Sequence, residues 1–202
     1  MTSESKARLG DLHSHLVPGV DDGARSLDEA LQAVEAMVEA GIGTIVTTPH
    51  IRASVFHDTE KAERRISEVE AAYRRLAVAV AERFPQVRLG RGFEVMLDVP
   101  DPDLRDPRVR LASTDFVLVE WPRLRIPRGT NAVLARIRAD GFTPIVAHPE
   151  RYHGLDPELR IPRSWRQTGA LLQVNHGSLV GRYGNEARLR ALRLLQDGTV
   201  QY

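Results

Sequence analysis

Asp11-Leu12-His13-Ser14-His15 places two histidines two residues apart at the end of a short, partly apolar run. Side chains alternate faces along a β-strand, so His13 and His15 point to one side while Leu12 packs to the other. Two imidazoles on one strand face can ligate a single metal ion. The pair does not establish a site by itself, because surface histidine pairs share that spacing. Its meaning depends on what stands at the ends of the other strands. Immediately after it, Leu16-Val17-Pro18-Gly19-Val20-Asp21-Asp22-Gly23 reads as a loop, with Pro, Gly and paired Asp.

Working outward, Ser26 followed by Glu29 forms a capping box. The helix it opens runs through Leu31, Val34, Met37 and Val38 and stops at Gly41. Residues 44–47 form a β-branched strand that ends in Thr48-Pro49-His50. A helical stretch follows over about residues 60–83, and Pro85 closes it. The strand at 87–90 is carried on through Gly92-Phe93-Glu94-Val95, and residues 98–110 are Pro- and Asp-rich and irregular. Phe116-Val117-Leu118-Val119 is continuously apolar, as a strand buried on both faces should be, and ends at Glu120. A helix at 130–139, a strand at 144–147 ending at His148, a helix at 162–168, a strand at 170–174 and a helix at 185–196 complete the order. Thr199-Val200-Gln201-Tyr202 begins one more strand.

Strands alternating with helices predict an α/β fold with a parallel sheet. An open doubly wound sheet and a barrel both fit that pattern. His13, His15, His50, Glu94, Glu120 and His148 all sit at or just past the C-terminal end of a strand. In a parallel barrel those ends meet on one rim, where active sites are built. An open sheet would spread them, so the convergence favours the barrel.

The 202 residues suit one domain, 1–202, with 42% hydrophobic and 27% charged residues, ordinary for a globular chain. A net charge of +1 gives no global case for nucleic acid or a membrane surface. With no cysteine, disulfides, thiolate metal sites and cysteine-based phosphatase chemistry are excluded. The opening Met1 to Gly10 is polar and no run approaches transmembrane length, so a cytoplasmic protein without membrane insertion is expected.

A nitrogen and oxygen ligand set of this kind suits Mn, Fe or Zn, and it is too large for one tetrahedral ion. Two or three ions bridged by a glutamate fit better, and such clusters hydrolyse phosphate esters. Asp22 can supply a further carboxylate. Arg151, three residues past His148, is placed to bind phosphate through its two-pronged guanidinium. Arg123, Arg125 and Arg128 form either a solvated basic loop or a substrate contact. His57 and His153 read as surface histidines, His176 as a residue near the site, and Tyr183, Trp121 and Trp165 as packing.

The stretch from Asp11 to Gly23 resembles the opening of the bacterial polymerase-and-histidinol-phosphatase (PHP) family tyrosine phosphatases, the capsule and exopolysaccharide enzymes of the CpsB/YwqE type. Thr47-Thr48-Pro49-His50, Gly92-Phe93-Glu94, Val119-Glu120-Trp121-Pro122, Ala147-His148-Pro149-Glu150-Arg151 and Gln173-Val174-Asn175-His176-Gly177-Ser178-Leu179 follow in that family's order. The resemblance implies a distorted (β/α)7 TIM-like barrel of the PHP fold that binds Mn. It implies hydrolysis of phosphotyrosine on a partner tyrosine kinase controlling polysaccharide synthesis, with homo-oligomerisation open. His13, His15, Asp22, His50, Glu94, Glu120 and His148 match metal ligands, Arg151 matches a phosphate-binding arginine, and Asp22 and Arg151 are the expected catalytic residues. The family pattern continues with a strand and an Asp-x-His pair where this chain stops at Tyr202, so a C-terminally truncated domain lacking its last strand is expected. The alternatives are a PHP phosphoesterase acting on a small ester such as histidinol phosphate, and a truncated non-catalytic chain.

Overall fold

The computed structural model describes residues 9–202, so the polar opening lies outside the described residues as far as residue 8. The chain runs β1 (Leu9–Ser14), α1 (Leu27–Glu39), β2 (Ile42–Thr47), β3 (His50–Arg52), α2 (Thr59–Arg83), β4 (Arg88–Arg91) and β5 (Glu94–Met96). It continues β6 (Phe116–Glu120), α3 (Thr130–Ala139), β7 (Thr143–Ala147), α4 (Arg160–Gln167), β8 (Leu171–Gln173), α5 (His176–Leu179) and α6 (Asn185–Gln196). Every strand pairing is parallel. Among the described residues, no helix is long and apolar enough to cross a membrane.

The strands do not close into the expected barrel. They form a three-stranded sheet, β1-β2-β4, and a five-stranded sheet, β3-β5-β6-β7-β8. The division arises because two strands break and change sheet. β2 ends at Thr47, and after Thr48 comes Pro49, which has no N–H to continue a ladder, before the chain resumes as β3. The strand expected across 87–95 breaks at Gly92-Phe93 into β4 and β5. A side chain at Gly92 would meet the Arg110 carbonyl at 2.9 Å and the Leu111 side chain at 2.8 Å, so only glycine lets the 107–113 turns pack there. Backbone hydrogen bonds cross both breaks: Thr48 N–H to Ser14 O (2.6 Å), Gly92 N–H to Thr47 O (3.0 Å) and Glu94 N–H to Pro49 O (3.1 Å). These bonds join the two sheets, and the end of β1 meets the starts of β3 and β5 without a closed barrel.

Two smaller expectations also change. Thr199 to Tyr202 forms no regular strand, although Gln201 and Tyr202 both donate to Leu172 O (3.1 and 3.3 Å) and Val174 donates to Tyr202 O (3.0 Å). The helix expected from residue 162 begins at Arg160, because Asp156 accepts from the Arg160 and Ile161 N–H groups (2.8 and 3.1 Å) and satisfies its first turn. Ser26 does cap α1 by accepting from Glu29 N–H (3.2 Å), while Glu29 reaches back to Arg25 N–H (3.0 Å), one residue before the cap.

Trp121 and Trp165 are core residues, 1% and 0% exposed. They surround Tyr152, whose ring meets Trp165 edge-on with centroids 6.0 Å apart. The Tyr152 hydroxyl accepts from Trp121 N–H (2.9 Å), and Trp165 Nε1–H donates to Thr130 Oγ1 (2.9 Å). This aromatic group lies directly behind the candidate site, since Trp121 follows Glu120 and Tyr152 follows Arg151.

Candidate metal centre

The centre is built around Glu94, the first residue of β5, which is 1% exposed. Parallel pairing sets it beside His50 on β3, and the Met96–Glu120 pair brings the end of β6 alongside. Across the junction between the sheets, β1 delivers His13 and His15. Their Nε2 atoms each lie 3.1 Å from Glu94 Oε2 and 3.3 Å from one another. His50 Nδ1 is 3.3 Å from the same oxygen, and His148 Nε2 is 2.9 Å from Oε1. One carboxylate thus faces four imidazoles.

Glu120 approaches from β6, with Oε1 3.2 Å from His50 Nδ1 and Oε2 3.7 Å from His148 Nε2. Although so close, His50 Nδ1 and Glu120 Oε1 are both buried without a properly directed hydrogen-bond partner. A buried nitrogen and a buried carboxylate oxygen left without partners this close together are what a cation held between them would satisfy. Asp22 sits at the lip, its side chain 83% exposed and 3.4 Å from His50 Nε2. Three overlapping groups, His13/His15/Glu94, His15/Asp22/His50 and His50/Glu94/Glu120, each present donor atoms within 4.8 Å of one another. Orphaned donors and facing imidazole nitrogens fit bound cations, and an all-nitrogen-and-oxygen set fits a transition metal of the Mn, Fe or Zn kind.

The electrostatics agree. Burial would raise the Glu94 carboxyl, but His13, His148 and His15 outweigh it and hold it well below the usual carboxylate range. Burial likewise opposes charge on His15, yet Asp21 and Glu94 push it up to about 10. Half-buried His50 is also raised, Glu120 and Glu94 outweighing the desolvation that opposes its charge.

Two orienting groups are absent from the set expected from sequence. Asp21 Oδ2 accepts from His15 Nδ1 (2.8 Å) and from His50 N–H (3.0 Å), while Oδ1 accepts from Gly23 N–H (3.0 Å). Gln173 Oε1 lies 2.8 Å from His13 Nδ1, and its Nε2 donates to Val174 O and Asn175 Oδ1, which fixes the amide orientation. An ionised carboxylate and an amide oxygen only accept, so each Nδ1 carries a proton and Nε2 is the nitrogen at which a cation would replace a proton. The Asp-Asp pair marks the loop, but only the fold distinguishes Asp21, the brace, from Asp22, the lip. We expect Asp21→Asn to weaken metal affinity by about 10- to 100-fold, as loss of such braces does elsewhere, measured by titration of the chelator-stripped protein.

Gly23 closes this loop against β1. A Cβ there would lie 2.1 Å from His15 O and 2.4 Å from His15 Cβ, a clash with backbone that cannot be relieved by a rotamer change. Gly23→Ala should therefore displace His15 and lower metal content, at a stability cost of roughly 1–3 kcal/mol read by urea unfolding.

β7 ends in a left-handed residue, His148 (φ 35°), after which Pro149–Arg151 form a 3-10 turn. Glu150, fully buried, accepts from Asn175 N–H (3.1 Å) and Ser178 Oγ–H (2.5 Å) and ties this turn to α5. Arg151 lines the open cleft of about 1020 Å³ above the centre, with its guanidinium 4.2 Å from the Tyr183 ring centroid. Tyr183 is thus not packing, being 41% exposed. Arg123 and His176 line the same cleft, His176 outside the three donor groups, while His57 and His153 are exposed.

A family model described as "Capsular polysaccharide synthesis, CpsB/CapC" matches residues 9–202. Tyrosine-protein phosphatase YwqE of Bacillus subtilis is 28% identical over 193 residues, covering 95% of this chain and 74% of that protein. Tyrosine-protein phosphatase CpsB of Streptococcus pneumoniae is 30% identical over 165 residues, 82% of this chain and 66% of that protein. A solved structure from work on YwqE and CpsB, described as unique metal-dependent tyrosine phosphatases, superposes with a TM-score of 0.78 at 23% identity. It covers 96% of this chain and 77% of its own, a likeness of fold.

Proposed function

Because the chain belongs to the CpsB/CapC family of capsular polysaccharide synthesis, we propose that it is a metal-dependent protein-tyrosine phosphatase. Its substrate on this reading is a phosphotyrosine protein, a bacterial tyrosine kinase that regulates capsule or exopolysaccharide synthesis, and it works in the cytoplasm. On this reading the two parallel sheets, which do not close on each other, correspond to an opened, distorted barrel of the PHP type. The observation that carries the reading is Glu94 facing four imidazoles at the foot of a cleft lined by Arg151.

His13, His15, Asp22, His50, Glu94, Glu120 and His148 would hold two or three ions, manganese by preference. When bound, such ions supply Lewis-acid charge and make water acidic enough to attack phosphorus near neutral pH. The chain's own residues do the rest. Asp21 and Gln173 keep the Nδ1 protons of His15 and His13 away from the centre. Glu94 and Glu120 spread negative charge beneath the phosphate site. Arg151 presents two parallel N–H donors to phosphate oxygens, and the Tyr183 face supports its guanidinium.

Manganese-loaded protein should release phosphate from a phosphotyrosine peptide, with activity lost on chelation and restored by the metal. A metal-loaded protein that left phosphotyrosine intact while cleaving histidinol phosphate would sink the substrate assignment. A chain that retained no ion after purification in manganese would mark it as non-catalytic.

A further inference from the structure

We propose that Arg123 and Arg182 form a rim that directs the site to phosphotyrosines flanked by acidic residues. The proposal rests on the phosphotyrosine reading above and adds what the site selects around it.

Both side chains line the cleft that holds Glu94 and Arg151. Some guanidiniums outside the cleft are matched to carboxylates, as in Arg83–Glu35 (2.9 Å), Arg91–Glu70 (2.7 Å) and Arg108–Glu63 (2.8 Å), while others, such as Arg136 and Arg193, stand exposed on helix surfaces. Arg123, Arg151 and Arg182 have no carboxylate partner among the described residues, although the chain has 27 acidic residues against 28 basic ones. Asp11, Asp22, Glu94 and Glu120 line the same cleft, and with the proposed ions neutralising the carboxylates of the metal set the three guanidiniums leave its rim positive, which raises the local concentration of anions. One phosphate monoester does not need all three, since Arg151 already offers it a two-pronged contact beside the proposed ions. The remaining two guanidiniums have charge to spare for groups beyond the phosphate.

The backbone holds both in place. Arg123 and Leu124 are consecutive left-handed residues (φ 55° and 53°), costly for residues with side chains. They are pinned by Arg125 N–H to Pro122 O (3.1 Å) and His153 N–H to Leu124 O (2.8 Å). Arg182 N–H donates to Gly177 O (2.8 Å) in a turn with left-handed glycines at 181 and 184. A Cβ on Gly177 would sit 3.0 Å from the Tyr183 ring and 3.4 Å from Arg182 Cδ, so the glycine admits the rim. Tyr183 and Val180, 41% and 67% exposed, add apolar surface at the same edge. Such a surface suits a polypeptide better than a small ester.

The test compares three phosphotyrosine peptides of one length, with Asp/Glu, neutral or Lys neighbours, and p-nitrophenyl phosphate, using the manganese-loaded chain. The acidic peptide should exceed the Lys peptide in kcat/KM by about tenfold at low salt, mainly through KM, and the gap should shrink as salt screens it. Arg123→Ala with Arg182→Ala should bring the peptides within about twofold of each other, and Arg182→Glu should shift preference toward the Lys peptide. Equal rates for the three peptides in the unsubstituted protein, or a preference that survives the double substitution, would overturn the rim alone. Cleavage of p-nitrophenyl phosphate with no peptide cleaved would overturn the rim together with the phosphotyrosine reading.

Discussion

Glu94→Gln should strip the site of metal and lower kcat/KM toward a phosphotyrosine peptide by on the order of 10³-fold. Metal assistance is worth several kcal/mol, and each ~1.4 kcal/mol is a factor of ten. Glutamine has nearly the shape of glutamate, so packing among Val95, Phe93 and the imidazoles is kept. What disappears is the charge that faces His13, His15, His50 and His148 together. The readouts are metal content per chain, and thermal midpoints with and without chelator. In the unsubstituted protein added metal should raise the midpoint, because it binds the folded chain far more tightly than the unfolded one. In the variant that rise should vanish, and the chelated midpoint should also fall, because the carboxylate's ion pairs with His13, His15 and His148 are lost from the metal-free chain. Full metal content in Glu94→Gln would remove Glu94 from the centre of the site.

Trp165→Ala should cost roughly 3–5 kcal/mol of stability, the range for emptying a large aromatic position in a core. Trp165 is fully buried, meets both Trp121 and Tyr152, and its indole N–H satisfies Thr130 Oγ1. Removal leaves a cavity and an unpaired buried hydroxyl behind the end of β6 that carries Glu120 and the turn that carries Arg151. Urea denaturation followed by far-UV circular dichroism measures the change, and Trp165→Phe should recover part of it. A loss under about 1 kcal/mol would mean that the aromatic group collapses into the space.

The ligand-type residues were legible because each ends a short apolar run, and because period two sets His13 and His15 on one face. The orienting residues were not. Asp21 is chemically identical to its neighbour Asp22, and only the turn at Gly23 decides which one faces His15. Gln173 lies 160 residues from the histidine it holds, a separation that no local pattern encodes. The division into two sheets escaped for a related reason. Pro49 and Gly92 each read as a strand's end or an ordinary interruption, whereas in the folded chain both are the points where a strand leaves one sheet for the other. Tyr183 looked like packing because an aromatic side chain usually is, and its exposure depends on the turn that Gly177 admits.

The hydrogen bond between Gln173 and His13 has a consequence for the order of events as the protein is made. Synthesis proceeds from the N-terminus, so the histidine pair of β1 leaves the ribosome long before Glu94, His148 or the amide that orients His13 exists. During that interval the pair is an unselective chelator, open to whichever divalent ion binds imidazole most tightly, which by the usual affinity series is copper or zinc rather than manganese. His13 gains its amide partner only when β8 joins the sheet, so the orientation of its imidazole is completed late in folding.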